Sequence, residues 1–235
     1  MCGRFLLLSD EENIELAGII EAIEEKYPDR NAFALGEMFP GASIPVLANM
    51  GNEPFLMHWG FPFLGRARSS QVINARSETL TEKPLFSRLV DEHRCIIPAS
   101  AFYEWAYVSG VAPGAASSVA STAGLSPMPI GASGAKNKKT KFMIRPSSAR
   151  TAKGAYYFYM AGLTRKLRLS SGNYADCTVI ITTRPSAQMA EIHNRMPVML
   201  DRAMADYWLS NAGIDKIYGS GIMEPWNGNL DIVSA

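Results

Sequence analysis

The sequence predicts one strand-rich domain with a few helices packed around it. Three observations carry this expectation. Runs rich in β-branched and aromatic residues recur along the chain, at Ile44–Leu47, Pro54–Trp59, Cys95–Ile97, Phe142–Ile144, Tyr156–Ala161 and Thr178–Thr183. Apolar residues at helical spacing are confined to a few short stretches. Neither an internal repeat nor a linker divides the 235 residues, and with 47% of them hydrophobic the chain can bury a sizeable core.

Taken in order, Arg4–Leu8 reads as a strand. Residues 10–26 read as a helix, opened by Ser9 as a cap with Glu12 three positions on, and closed by Lys26-Tyr27-Pro28. Its apolar face is Ile14, Leu16, Ile19, Ile20 and Ile23. The aromatic segment His58–Phe63 follows the strand Pro54–Trp59, and Trp59 reads first as core. In Gln71–Thr79 a short strand ends at Val72-Ile73, after which Asn74, Arg76 and Glu78 alternate with Ala75 and Ser77. Three polar residues on one face of an extended segment are either exposed or turned toward a site, because burying them unpaired is costly. Thr81–Val90 reads as a short amphipathic helix carrying Leu85, Phe86 and Leu89. Arg94–Trp105 passes through a Pro-Ala-Ser turn into a second strand. Ser186–Asn194 reads as a short helix that delivers His193, Asp201–Leu209 as another helix, and Trp226–Ala235 as a final strand or tail. Residues 108–135 are almost wholly Gly, Ala, Ser, Pro, Val and Thr, a low-complexity insertion too long for a compact domain without a reason.

Composition excludes several classes. At 19% charged and 10% aromatic the chain is of ordinary globular type, not disordered. No run of 18 apolar residues and no charged-then-apolar leader is present, so neither a membrane span nor a secretory signal is expected. Cys2, Cys95 and Cys177 are odd in number and far apart, which fits free thiols in a reducing cytoplasm. No CxxC or HExxH spacing occurs, so no metal and no cofactor is expected. Charge is uneven. No acid lies between Glu104 and Asp176, where ten of the 23 cations fall; the other 13 share the chain with all 22 acids. That block is either a polyanion-binding surface or a solvated basic loop.

The chemistry concentrates at Met1-Cys2-Gly3-Arg4. Removal of Met1 would leave Cys2 with an α-amine and a thiol on one carbon skeleton, with reference pKa values of about 7.7–8.0 and about 8.5. An amine condenses with an aldehyde to an imine, and a neighbouring thiol closes on it as a five-membered ring. No internal cysteine can do this. Glu104, one acid among Phe102, Tyr103 and Trp105, sits where a carboxylate's pKa rises. It is either a proton-transfer group or a carboxylate paired structurally to an arginine. His193, beside Asn194, Arg195 and a proline turn, is the histidine that stands out; His58 and His93 have less around them.

These segments resemble the SOS-response-associated peptidase (SRAP) family. The matching motifs are MCGR at 1–4, WGFP at 59–62, INARSET at 73–79, RCIIPASAFYEW at 94–105, MAGLT at 160–164 and TVIITTRPSAQMAEIHNRMPVML at 178–200, in the family's order and covering most of the chain outside 108–135. The resemblance implies an α+β fold: a single domain over 1–235 with strongly curved, mostly antiparallel β-sheets around the Cys2 site and peripheral helices. It implies processing of abasic sites in single-stranded DNA. The Cys2 amine attacks the open-chain aldehyde and its thiol then closes a thiazolidine, a DNA–protein crosslink that shields the site from cleavage. Autocatalytic Met1 removal and a weak lyase activity through the imine go with it. Asn74 would position Cys2, and Glu104 and His193 would move protons. Arg4, Arg76 and Arg195 would hold phosphates, and Trp105 would stack near the unpaired nucleotide. The partner would be DNA, met by a monomer in the cytoplasm and at the nucleoid, with no membrane and no small-molecule cofactor.

Two departures stand out. Where family members carry a second tryptophan after WG-x-x-P, this chain reads FPFLGRARSS, which makes Phe63 or Leu64 the candidate wedge against the bases. The insertion at 108–135 either covers the DNA groove or hangs off its edge. Two other readings compete. N-terminal-nucleophile glutamine amidotransferases also begin Met-Cys-Gly, but their Arg-Trp-Ala-Thr-His and Asn-Gly-Glu segments are missing here. A single-stranded DNA-binding module, with Cys2 incidental, would bind intact and abasic strands alike.

Overall fold

The computed structural model describes residues 2–8, 14–29, 33–48, 53–62, 71–108, 138–149 and 157–235. The Ser9–Glu12 cap, the Phe63–Leu64 wedge and nearly all of the 108–135 insertion lie outside them. The elements run β1 (Phe5–Leu7), α1 (Ile14–Lys26), β2 (Gly36–Met38), β3 (Ser43–Ala48), β4 (Pro54–Trp59), β5 (Phe61–Pro62), β6 (Gln71–Val72), β7 (Asn74–Arg76), β8 (Arg94–Ala99), β9 (Ala101–Val108) and β10 (Lys138–Pro146). They continue with β11 (Phe158–Arg168), β12 (Tyr174–Thr183), α2 (Ala187–Ala190), β13 (Met196–Pro197), β14 (Met199–Leu200), α3 (Arg202–Leu209), α4 (Ile214–Gly219) and β15 (Leu230–Ser234).

The α+β expectation holds. One sheet has the order β15-β10-β9-β1-β2, all neighbours antiparallel. In the other, β12-β4-β3-β8-β11 closes on itself, because β11 also pairs with β12. Closure leaves these five strands no free edge. Among the described residues, parallel pairing occurs only between β12 and its neighbours β4 and β7. No helix among the described residues is long and apolar enough to cross a membrane.

Strands β8 and β12 read as continuous apolar runs because both their faces are covered. Cys95, Ile97 and Ile180 pack toward Phe5, Phe102 and Ile144 of the five-stranded sheet. Ile96, Val179 and Ile181 pack on the other side with Trp208 of α3 and Ile217 of α4. Gly162 of β11 lies tight against its neighbours β8 and β12. A Cβ there would meet Cys95 Sγ at 2.8 Å, Ile97 Cδ1 at 2.8 Å and the Val179 carbonyl at 2.9 Å. Gly162→Ala is therefore expected to destabilise the fold by about 1–3 kcal/mol, read as a lower urea midpoint. An unchanged midpoint would mean that the ring gives way without cost.

Helices α1 and α3 lie on the segments expected for them. Asp201 caps α3, its carboxylate accepting the Met204 N–H at 2.9 Å. Residues 81–90 differ from expectation: they form successive turns, not a helix. Pro84 has no N–H to donate and disfavours helical geometry at Lys83. The expected apolar contacts survive, with Phe86 and Leu89 buried and Leu85 partly so. The segment from Asn74 to Glu78 also departs from one extended face, since β7 stops at Arg76 and Ser77–Thr79 coil into a 3-10 turn.

Candidate functional site

The site forms where the two sheets meet. β1 is held by β9 at Phe5↔Phe102, and the Tyr103 N–H donates to the Arg4 carbonyl at 2.9 Å, which fixes the backbone just after Cys2. The Cys2 side chain is fully buried. Asn74 Nδ2 donates to the Cys2 carbonyl at 3.0 Å. Asn74 reaches it because β7 runs parallel to β12, with Asn74 opposite Ile180. Trp59 is core, as expected, and also braces the site: its ring lies 5.3 Å from that of Phe5 and its Nε1 donates to the Ile73 carbonyl at 3.2 Å. Asn74→Ala should cut the rate of the chemistry proposed below for Cys2 by about 5- to 150-fold, the worth of one positioning hydrogen bond of about 1–3 kcal/mol. The thermal midpoint is the control; a rate equal to wild type would remove Asn74 from the site.

Glu104 lies two residues beyond Phe102 on β9 and shares its inward face. It is 4% exposed, and burial lifts its carboxyl to about 7. Burial also pushes the Cys2 thiol up, and the Glu104 charge pushes it further. His193 Nδ1 stands 3.8 Å from Glu104 Oε1. Burial lowers the imidazole's pKa, so it is neutral at pH 7. The Arg195 backbone N–H donates to Nδ1 at 3.1 Å, an arrangement satisfied by the tautomer that carries its proton on Nε2.

The remaining candidates are placed differently. The Arg195 guanidinium forks onto Glu78 at 2.6 and 2.9 Å and donates to the Thr182 carbonyl at 2.6 Å. This ties Arg195 to Glu78 and to β12 beside the turn that carries His193. Arg76 is exposed on β7. Trp105 is half-buried on the face of β9 opposite Glu104. Arg4 joins it there, its guanidinium 5.0 Å over the Trp105 ring and 4.4 Å over Phe39, and paired with Glu37 at 3.3 Å. Arg4 thus faces away from the thiol, and it is not among the charges that shift it. Cys2, Asn74, Glu104 and His193 converge; Arg195 supports His193; Arg4 and Trp105 gather on the reverse of the sheet. Sequence reasoning missed the partners Glu37, Phe39 and Thr182. Glu78 did stand in the polar alternation after Asn74. Among the described residues no cluster of His, Cys, Asp or Glu could hold a metal ion.

A buried thiol and main chain tethered beside a carboxyl titrating near neutrality and a neutral imidazole can move protons at Cys2 without a metal ligand set. A family model described as SOS response associated peptidase (SRAP) matches residues 1–234. Abasic site processing protein YoqW of Bacillus subtilis (strain 168) is 30% identical over 97% of this chain and 88% of its own length. Abasic site processing protein YobE of the same organism is 30% identical over 97% of this chain and 90% of its own length. Among solved structures, a Bacteroides thetaiotaomicron protein superposes with a TM-score of 0.71, covering 99% of this chain and 91% of that one at 19% identity. A phage-related protein of Bordetella bronchiseptica gives 0.63, covering 100% and 94% at 19% identity. At that identity the two structures speak for the fold.

Proposed function

Because the chain belongs to the SOS-response-associated peptidase (SRAP) family, we propose that it processes abasic sites in single-stranded DNA by forming a covalent bond through Cys2. The observation that carries this reading is the meeting of buried Cys2 and Glu104 with the partly exposed Asn74 and His193.

Once Met1 is removed, by the chain itself in this reading, the Cys2 amine attacks the aldehyde of the ring-opened deoxyribose. Water leaves and an imine forms. The Cys2 thiol then adds to the imine carbon, its proton is carried by way of a base to the imine nitrogen, and a thiazolidine closes. The order follows from the environment. Burial and the nearby carboxylate keep the thiol protonated, so the amine reacts first and ring closure waits for a proton acceptor. Glu104, titrating at about 7, can give a proton while the sugar ring opens and take one while the thiol adds. His193 lies within reach of it to pass the proton on. Asn74 holds the Cys2 carbonyl, so amine and thiol approach from a fixed direction. Exposed Arg76 faces the strand's phosphates, with Arg4 and Trp105 gripping from the outer side. An imine that escapes ring closure acidifies the neighbouring carbon and permits β-elimination, a weak lyase reaction. Such a substrate places the protein in the cytoplasm, at the nucleoid when bound.

The test is the intact mass of the protein before and after incubation with a single-stranded oligonucleotide carrying one abasic site. Expected are loss of Met1 and a gain of the oligonucleotide mass less one water, with Cys2 in the modified peptide. A mature Cys2 terminus that gives no adduct overturns the reading.

A further inference from the structure

Strands β9 and β10 run side by side beyond the catalytic residues, with Tyr103 opposite Met143, Trp105 opposite Lys141 and Tyr107 opposite Lys139. Directly opposed residues of an antiparallel ladder share a face, as do alternate residues of one strand. The outer face of the five-stranded sheet therefore carries three aromatic rings in a row, about 6.7 Å apart, with two lysines across from them. Exposure rises along the row: 5% at Tyr103, intermediate at Trp105 and 69% at Tyr107.

The two ends differ in how far the protein satisfies them. At the inner end Lys141 Nζ lies 3.9 Å from the Tyr103 ring centre and pairs with Glu37, which also takes Arg4. At the outer end Lys139 is exposed. Among the described residues neither the Lys139 ammonium nor the Tyr107 hydroxyl has an ion-pair or hydrogen-bond partner. A flat exposed ring beside an exposed cation matches a nucleobase joined to a phosphate. Charge disfavours the connecting residues 109–137 as occupant, since they contribute Lys136 and no acid.

We infer that Tyr107 and Lys139 form a stacking subsite for a nucleotide of the single strand flanking the abasic position, the ring taking the base and the ammonium the phosphate. This rests on the DNA-processing reading above and adds to it a path for the strand, outward along β9 and β10.

The experiment is fluorescence anisotropy of the full chain with a labelled single-stranded oligonucleotide that has no abasic site. Tyr107→Ala should weaken binding by about 5- to 150-fold, the worth of about 1–3 kcal/mol per stacked base. Tyr107→Phe should bind like wild type, and Lys139→Gln should flatten the logarithmic salt dependence by about 0.7. At saturating abasic strand, Tyr107→Ala should crosslink as completely as wild type. Tyr107→Ala binding within twofold of wild type would overturn the subsite, as would equal losses from the Ala and Phe changes. A Tyr107→Ala protein altered in sedimentation but not in anisotropy would assign the face to a second copy of the chain, and would overturn it too. The intact strand keeps this result separate from the crosslink: wild-type adduct with unaffected Tyr107→Ala binding removes the subsite alone.

Discussion

Cys2→Ala is expected to leave no gel-stable adduct with a single-stranded abasic oligonucleotide. In the proposed mechanism the change removes the thiol that makes the product durable, and the amine alone would yield only a reversible imine. Cys2→Ser separates the two steps. It keeps the amine and a side chain of similar size but supplies a poorer nucleophile for ring closure, so product should move toward imine and strand cleavage. Denaturing gels with and without reduction of the imine read both results. A heat-stable adduct formed by Cys2→Ala would require another nucleophile, and a normal one from Cys2→Ser would eliminate the thiazolidine. The side chain is fully buried, so the thermal midpoint of each variant is needed to separate lost chemistry from lost fold.

Glu104→Gln should move stability and activity in opposite directions. Burial raises the carboxyl from 4.5 to about 7. Between those values the folded protein holds a proton that the unfolded chain has released. Stability from this group is thus complete below about pH 4.5, falls as pH rises to about 7, and stays low above it. At one pKa unit per 1.36 kcal/mol the loss approaches about 3 kcal/mol at pH 8. Glutamine cannot ionise, so Glu104→Gln should unfold at higher urea than wild type at pH 8 and show little advantage at pH 5. Its crosslinking rate should fall by about 10²-fold or more, the usual worth of a proton-transfer group. Equal stability at both pH values would mean that Glu104 is not held near neutrality. An unimpaired rate would assign proton transfer to His193 alone.

The parts of this fold that depend on local pattern were legible in the sequence. The apolar stripe of α1, the Asp201–Leu209 helix and the doubly buried runs of β8 and β12 follow from periodicity and burial. Helix α4 escaped notice because it has only six residues and begins at Gly213, without a side-chain cap. The closure of β11 on β12 and the parallel pairing of β7 with β12 leave no local trace, because residues such as Asn74 and Ile180 meet only through the fold. The same division runs through the site. The reactivity of Cys2 follows from an amine and a thiol on one skeleton, whereas its meeting with Asn74, Glu104 and His193 was expected from family resemblance alone. Arg195, expected as a phosphate ligand, is also paired with Glu78, 117 positions away, which no local pattern shows. Arg4 likewise has Glu37, Phe39 and Trp105 around its guanidinium.

Glu104 and Trp105 are neighbours on one strand yet face opposite sides of the sheet. A deletion or insertion of one residue between Ala99 and Tyr103 would exchange them, sending the indole inward and the carboxylate out. Residues 109–137, joining the far ends of β9 and β10, are under no such constraint, since lengthening a connection adds only a slowly growing entropy term. Variation in length among proteins built this way should therefore accumulate in that connection and be purged from the few residues before Glu104.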